Sequence, residues 1–230
     1  MTELDDKTYL GHRQRLKARF LSDGGKAMPD YELLELLLTF AIPRRDVKPL
    51  AKTLIARFNN FAGVINADLQ DLMAVSGVKE NTAIMLKMIA QGAKRMAWQQ
   101  LKAADEAVIA DYDAMIDYCR TAMAYNEVEE FRVIFLNSKF RVVAEETQQR
   151  GTINSVAIHP REVIKSALDN GAAAMIMVHN HPTGIVTPSQ ADISVTKTIR
   201  DAAKNCGIEL FDHIIISKND YFSFRDRGVL

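Results

Sequence analysis

The sequence predicts two folded units, an all-α module over the first hundred residues and a mixed α/β domain behind it. Apolar residues recur with a helical period up to about residue 100, and the period becomes that of strands near residue 130. Between them, residues 99–106 (QQLKAADE) lose apolar density and favour polar helix formers, as a linker does. A chain of 230 residues has room for two small domains, each with its own core. These observations give a helical domain over 1–100, a linker over 101–107 and a second domain over 108–230.

Within the first unit, Tyr31 to Phe40 (YELLELLLTF) follows a Pro29-Asp30 start signal and carries leucines at 33, 34, 37 and 38 on one stripe. Pro43 and its charged neighbours break that helix. Leu50, Leu54, Ile55 and Phe58 then predict a helix over Val47 to Phe58. Short helices over 61–65 and 69–75 and a longer one from Asn81 to about Gln100 complete the module. In the second unit, Met115 to Met123 reads as helix. Glu130 to Leu136 (EFRVIFL) and Arg141 to Glu145 read as strands joined by Asn137-Ser138-Lys139. A helix follows over Pro160 to Asn170, with proline at its first position and Asn-Gly at its end. A buried strand over Ala173 to His179, a helix from about Pro188 to Asn205, and strands near Glu209 to Ile216 and Tyr221 to Phe224 finish the chain.

Composition excludes several classes. Apolar residues make up 48% and charged residues 25%, as in ordinary globular proteins rather than disordered or collagen-like chains. Lys+Arg and Asp+Glu both total 29, so no global basic field argues for a nucleic acid or an anionic membrane. Cys119 and Cys206 offer at most one pair, which is no disulfide framework and suits a reducing compartment. No stretch approaches the ~20 apolar residues that span a bilayer, and the acidic start Met1-Thr2-Glu3-Leu4-Asp5-Asp6 lacks an apolar leader core. The expected location is the cytoplasm, with no membrane partner.

The stretch that carries chemistry is His179-Asn180-His181-Pro182-Thr183-Gly184-Ile185-Val186-Thr187-Pro188-Ser189-Gln190-Ala191-Asp192. His179 and His181 leave the end of a predicted strand two residues apart, so both imidazoles face one side. Thr187 as N-cap, Pro188 at the first helical position and Gln190 closing a capping box would start the next helix, with Asp192 in its first turns. Two histidines and one carboxylate are the ligand set of a catalytic zinc whose fourth position is open to water.

The pattern H-x-H-x7-S-x2-D resembles the JAMM motif of the MPN-domain zinc metallopeptidases, and HNHPTG…PSQAD is similar to its bacterial RadC branch. Further segments resemble RadC proteins in the same order: Glu32-Leu33-Leu34, Leu50-Ala51, Glu130 to Leu136, Arg150-Gly151-Thr152, His159 to Val163 and Asp212 to Ile215. The resemblance implies an MPN fold, a central sheet flanked by helices, preceded by a small helix-hairpin-helix region. It implies a hydrolase holding one catalytic zinc on His179, His181 and Asp192 and cleaving a peptide or isopeptide bond in a peptide or protein substrate. Of the two adjacent acids, Glu130 matches the family's general base, with Glu129 facing the other side of the strand as the alternative. Ser189 matches the serine that donates to the developing oxyanion.

Other candidates read as structural. His159 sits before a helix-start proline, His213 in an apolar strand, and Cys206 at a helix end as a buried small hydrophobe. His12 begins a basic run that reads as a solvated helix face. Leu72 to Ala83 (LMAVSGVKENTA) resembles a helix-hairpin-helix element, whose Gly-hydrophobic-Gly turn would turn backbone N–H groups to a phosphate. Lys79 replaces the second glycine, so DNA binding here is expected to be weak, and a packing module is favoured. The rival to the hydrolase is a DNA-associated factor whose metal is structural or acts on a phosphodiester. A non-catalytic scaffold is disfavoured because the ligand set and its serine are present.

Overall fold

A computed structural model describes residues 3–103, 108, 111–151 and 158–230. Compact units form over Met1–Gly92 and Ala93–Leu230. The division falls inside a helix that runs Glu80–Ala103, so residues 101–103 of the expected linker are its last turn, while residues 104–107 lie outside the described residues.

The first unit is helical. Its helices are α1 (Glu3–Asp23), α2 (Asp30–Ala41), α3 (Lys48–Phe58), α4 (Phe61–Asn66), α5 (Leu69–Met73) and the first part of α6 (Glu80–Ala103). Leu34 and Leu38 of α2 meet Ala51 and Leu54 of α3, Val64 of α4, Leu72 of α5 and Ala83 and Leu86 of α6 in one apolar core. The turn before α6 has φ +98° at Gly77, a conformation that favours glycine, while Lys79 accepts the first N–H bonds of α6 without a left-handed backbone. The basic run from His12 is only partly a solvated face. Leu16 is buried, and His12 Nε2 lies 2.8 Å from the carboxylate of buried Glu35.

The second unit is a five-stranded mixed sheet in the order β2-β1-β3-β4-β5. Its elements are α7 (Tyr112–Met123), β1 (Glu130–Leu136), β2 (Val142–Arg150), α8 (Pro160–Asp169), β3 (Ala174–Asn180), α9 (Gln190–Asn205), β4 (Glu209–Ile216) and β5 (Tyr221–Ser223). Only β3 and β4 run parallel, joined across α9; the other neighbours are antiparallel. Strand alternation feeds a core on each face. Ile134, Leu136, Ile176, Val178, Ile214 and Ile216 pack under α7 through Met115, Ile116, Cys119 and Met123. Phe131, Val133, Phe135, Met175 and Met177 pack under α8 and α9 through Val163, Ala167, Ile199 and Ala203. This two-faced sheet with helices on both sides bears out the mixed α and β reading and is the MPN-like arrangement that the family resemblance implied.

Three local expectations change. The second strand runs to Arg150 rather than Glu145, because the polar run Glu145 to Arg150 lies on the sheet edge, where one side of the backbone needs no apolar neighbour. The last long helix starts at Gln190, with Ser189 rather than Thr187 as its N-cap. Cys206 is the exposed C-cap of α9, not a buried residue, since the helix ends there at the surface. Among the described residues no helix is long and apolar enough to cross a membrane.

Candidate metal centre

The centre is built where β3 ends and α9 begins. His179 is the penultimate residue of β3 and His181 the first after Asn180, so both rings leave the strand on the α9 side. Pro182 and Thr183 then turn through Gly184, whose φ of +86° favours glycine. The chain enters α9 through a capping box: Ser189 Oγ accepts from the Asp192 N–H at 3.1 Å, and the Ser189 N–H donates back to Asp192 Oδ2 at 2.7 Å. The S-x-x-D spacing therefore starts the helix and fixes the position of the acid.

The donor atoms converge. His179 Nε2 lies 3.0 Å from His181 Nε2 and 3.4 Å from Asp192 Oδ1, and His181 Nε2 lies 3.8 Å from Asp192 Oδ2. Ligand atoms held on a tetrahedral zinc by bonds of about 2.0–2.1 Å lie about 3.3 Å apart, so the spacing suits one ion. Protonation suits it too. His181 Nδ1 lies 2.6 Å from the Ile185 carbonyl, which can only accept, so the ring proton sits there and Nε2 turns a lone pair inward. Burial pushes the His179 pKa down to about 4 against the pull of Asp192, which leaves a neutral imidazole able to ligate. Asp192 Oδ2 also accepts from the Ser189 hydroxyl at 2.7 Å, and Oδ1 faces His179. Two imidazole nitrogens and a carboxylate thus meet around one point, which a cation would relieve. Among the described residues these three are the one group of such side chains that could share an ion.

The structure separates the two candidate acids. Phe131 of β1 pairs with His179 of β3, so Phe131 and His179 share a face and Glu130 leaves on the opposite one. There its carboxylate accepts from Arg132 Nε and from Asn126 Nδ2, and the same arginine reaches Glu145 at 2.6 Å. Glu129 instead lines a cavity of about 550 Å³ shared with His181, Thr183, Ile185, Ser189 and Asp192. Sequence periodicity showed that only one of the two acids could serve, but the choice between them depends on the strand register.

Asn180 was passed over in the sequence, and it holds this arrangement. It lies between the two histidines and points to the other face, buried. Its Oδ1 accepts from the Glu130 N–H at 2.8 Å, and its Nδ2 donates to the Asn126 and Val128 carbonyls at 3.2 Å each. The strand end that presents the imidazoles therefore also pins the segment that presents Glu129. Ser189 lines the cavity, with its proton on Asp192. His213 lies behind His179, 2.8 Å from its Nδ1, and is not one of the converging groups. His159 is the N-cap residue of α8 and does not join them.

Family comparison agrees with the site. Residues 109–229 match the model of the RadC-like JAB domain, and residues 9–84 match that of the UPF0758 N-terminal region. A UPF0758 protein of Ruegeria pomeroyi is 48% identical over 219 residues, covering 95% of this chain and 97% of its own length. Another, of Rhodobacter capsulatus, is 47% identical over 215 residues, covering 94% of this chain and 100% of its own. The chain belongs to the family of UPF0758 proteins that carry a RadC-like JAB domain.

Proposed function

We propose that the chain is a metal-dependent hydrolase of the JAMM type that cleaves a peptide or isopeptide bond, with zinc on His179, His181 and Asp192. The observation that carries this reading is the convergence of two imidazole nitrogens and a carboxylate on one point, beside a cavity that also holds an acid and a hydroxyl. Bound there, zinc supplies a Lewis acid that polarises a substrate carbonyl and brings the pKa of water toward ~7.

The chain's own groups do the rest. Glu129, on the cavity wall and outside the ligand set, takes a proton from the attacking water and returns it to the leaving amine. Ser189 Oγ holds Asp192 in place and is the candidate donor to the substrate oxyanion, a role that requires its proton to turn from Asp192 Oδ2 to the substrate. Thr183 and Ile185 border the same cavity and would contact the substrate chain.

Two measurements test the reading. The purified protein should hold about one zinc per chain, and the double variant His179→Ala, His181→Ala should hold none. A peptide library, including lysine-branched isopeptides, should be cleaved by the zinc-loaded protein and not by the double variant. Full zinc content in the double variant, or equal cleavage by both proteins, overturns the proposal.

A further inference from the structure

Behind His179 lies a line of buried polar groups that the hydrolytic reading does not use. His179 Nδ1 is 2.8 Å from His213 Nε2, His213 Nδ1 is 2.6 Å from Thr196 Oγ1, and Thr196 Oγ1 is 2.5 Å from the main-chain carbonyl of Asp192. His179, His213 and Thr196 are all buried, and His213 stacks on Phe224 at 4.7 Å with the edge of Phe131 at 5.8 Å. Its two nitrogens therefore face these two partners in a fully buried setting.

The protons along this line have one consistent arrangement. The Asp192 carbonyl can only accept, so the Thr196 hydroxyl proton points to it. With that proton committed, Thr196 Oγ1 must accept from His213 Nδ1–H. A neutral imidazole carries a single N–H, so His213 Nε2 must accept, and the donor is His179 Nδ1–H. The remaining nitrogen of His179, Nε2, is left as a bare lone pair directed at His181 and Asp192.

We infer that His213 and Thr196 are positioning residues that lock His179 in the Nδ1–H tautomer and so hold its Nε2 ready for the metal. The inference rests on the metal reading above. The line starts at one ligand and ends on the backbone of another, so it joins the strand that supplies His179 to the helix that supplies Asp192. If Thr196 lost its hydroxyl, His213 could move its proton to Nε2 and donate to His179. His179 would then carry its own proton on Nε2, where the metal should bind. Groups that orient a ligating imidazole in this way typically account for about ten- to a hundredfold in metal affinity.

The test compares zinc dissociation constants, by chelator competition on the full chain, for the wild type, Thr196→Val, Thr196→Ser and His213→Phe. Two-bond 1H–15N spectra of the zinc-free protein report the His179 tautomer. Expected are zinc binding weakened about ten- to a hundredfold in Thr196→Val and His213→Phe, and near wild type in Thr196→Ser. The wild-type His179 proton is expected on Nδ1. Thr196→Val is nearly isosteric, so it keeps the test decisive if His213→Phe fails to fold. Wild-type zinc affinity in Thr196→Val, or a wild-type His179 proton on Nε2, overturns the inference. If the wild type takes up no zinc, the hydrolase reading falls, and the His179 proton position alone supports or overturns the tautomer lock.

Discussion

Phe131 and His179 sit directly opposite one another on adjacent antiparallel strands, and this pairing decides which of two neighbouring acids faces the candidate metal centre. Glu130 is turned to the α7 side with Arg132, and Glu129 is left on the cavity wall. With Glu129 as the base, Glu129→Gln should cost about 10²- to 10⁴-fold in cleavage rate with zinc content unchanged. Glu130→Gln should keep cleavage within a few-fold and instead loosen the buried ion pair with Arg132, lowering the melting temperature. A Glu130→Gln enzyme that is folded and zinc-loaded yet inactive would reverse the assignment.

Asn180 fastens the Glu129 segment through three hydrogen bonds from a fully buried side chain. Asn180→Ala leaves the Glu130 N–H and the Asn126 and Val128 carbonyls without that partner, at a cost on the order of 1–3 kcal/mol. Zinc uptake should survive, because the histidines leave the strand on the other face, while cleavage should fall with the displaced acid. Urea unfolding, zinc titration and peptide turnover separate these effects. Loss of zinc binding together with retained cleavage would contradict the account.

The outline of the fold was legible because its elements announce themselves locally. Glu209 to Ile216 (ELFDHIII) is rich in aromatic and β-branched residues and bounded by Gly207 and Ser217, and it forms β4 over those residues. The convergence of the candidate ligands was legible for the same reason, since H-x-H and S-x-x-D each encode their geometry over a few residues. The parts that escaped depend on pairing between distant segments. Whether Glu129 or Glu130 faces the site is fixed by how β1 aligns with β3. The partner of His213 is fixed by the parallel register of β3 with β4, which sets Met177 beside it and brings His179 within reach. The exposure of Cys206 reflects where α9 meets the surface, and residue type alone does not carry that.

Tyr112 and Tyr118 each donate a buried hydroxyl to a carboxylate, Asp212 and Glu145 respectively. Burial, with the adjacent negative charge, drives both phenols above their ordinary pKa. A folded-state pKa raised above the unfolded value gives a contribution that is whole below about pH 10 and lost as the pH climbs beyond it. Stability should therefore hold through neutral pH and fall in alkali, and a double Tyr112→Phe, Tyr118→Phe variant should show a flatter alkaline limb. Ultraviolet titration should find at least two of the six tyrosines un-ionised at pH 11 in the folded protein. Ionisation of all six before unfolding would refute this.

The two thiols should differ in reactivity. Cys206 is exposed at the end of α9, whereas Cys119 is buried in the α7 core, where burial pushes its thiol pKa up and holds it neutral. A disulfide reagent should titrate about one thiol in the native protein and two in denaturant. Two fast-reacting native thiols would show that the α7 core opens readily.

The three candidate ligands lie between positions 179 and 192, while Glu129 comes from an earlier strand and His213 from a later one. Gathering the candidate ligands thus asks that one strand end meet the following helix turn, a short loop whose closure costs little entropy, with His213 adding its support from a later strand. The proposed catalysis would ask in addition for a long-range strand alignment that brings Glu129 to the cavity. Under the proposed function, a damaged or incompletely folded chain would keep a weakened hold on metal after losing its chemistry, so metal content would be a poor measure of how many molecules are working.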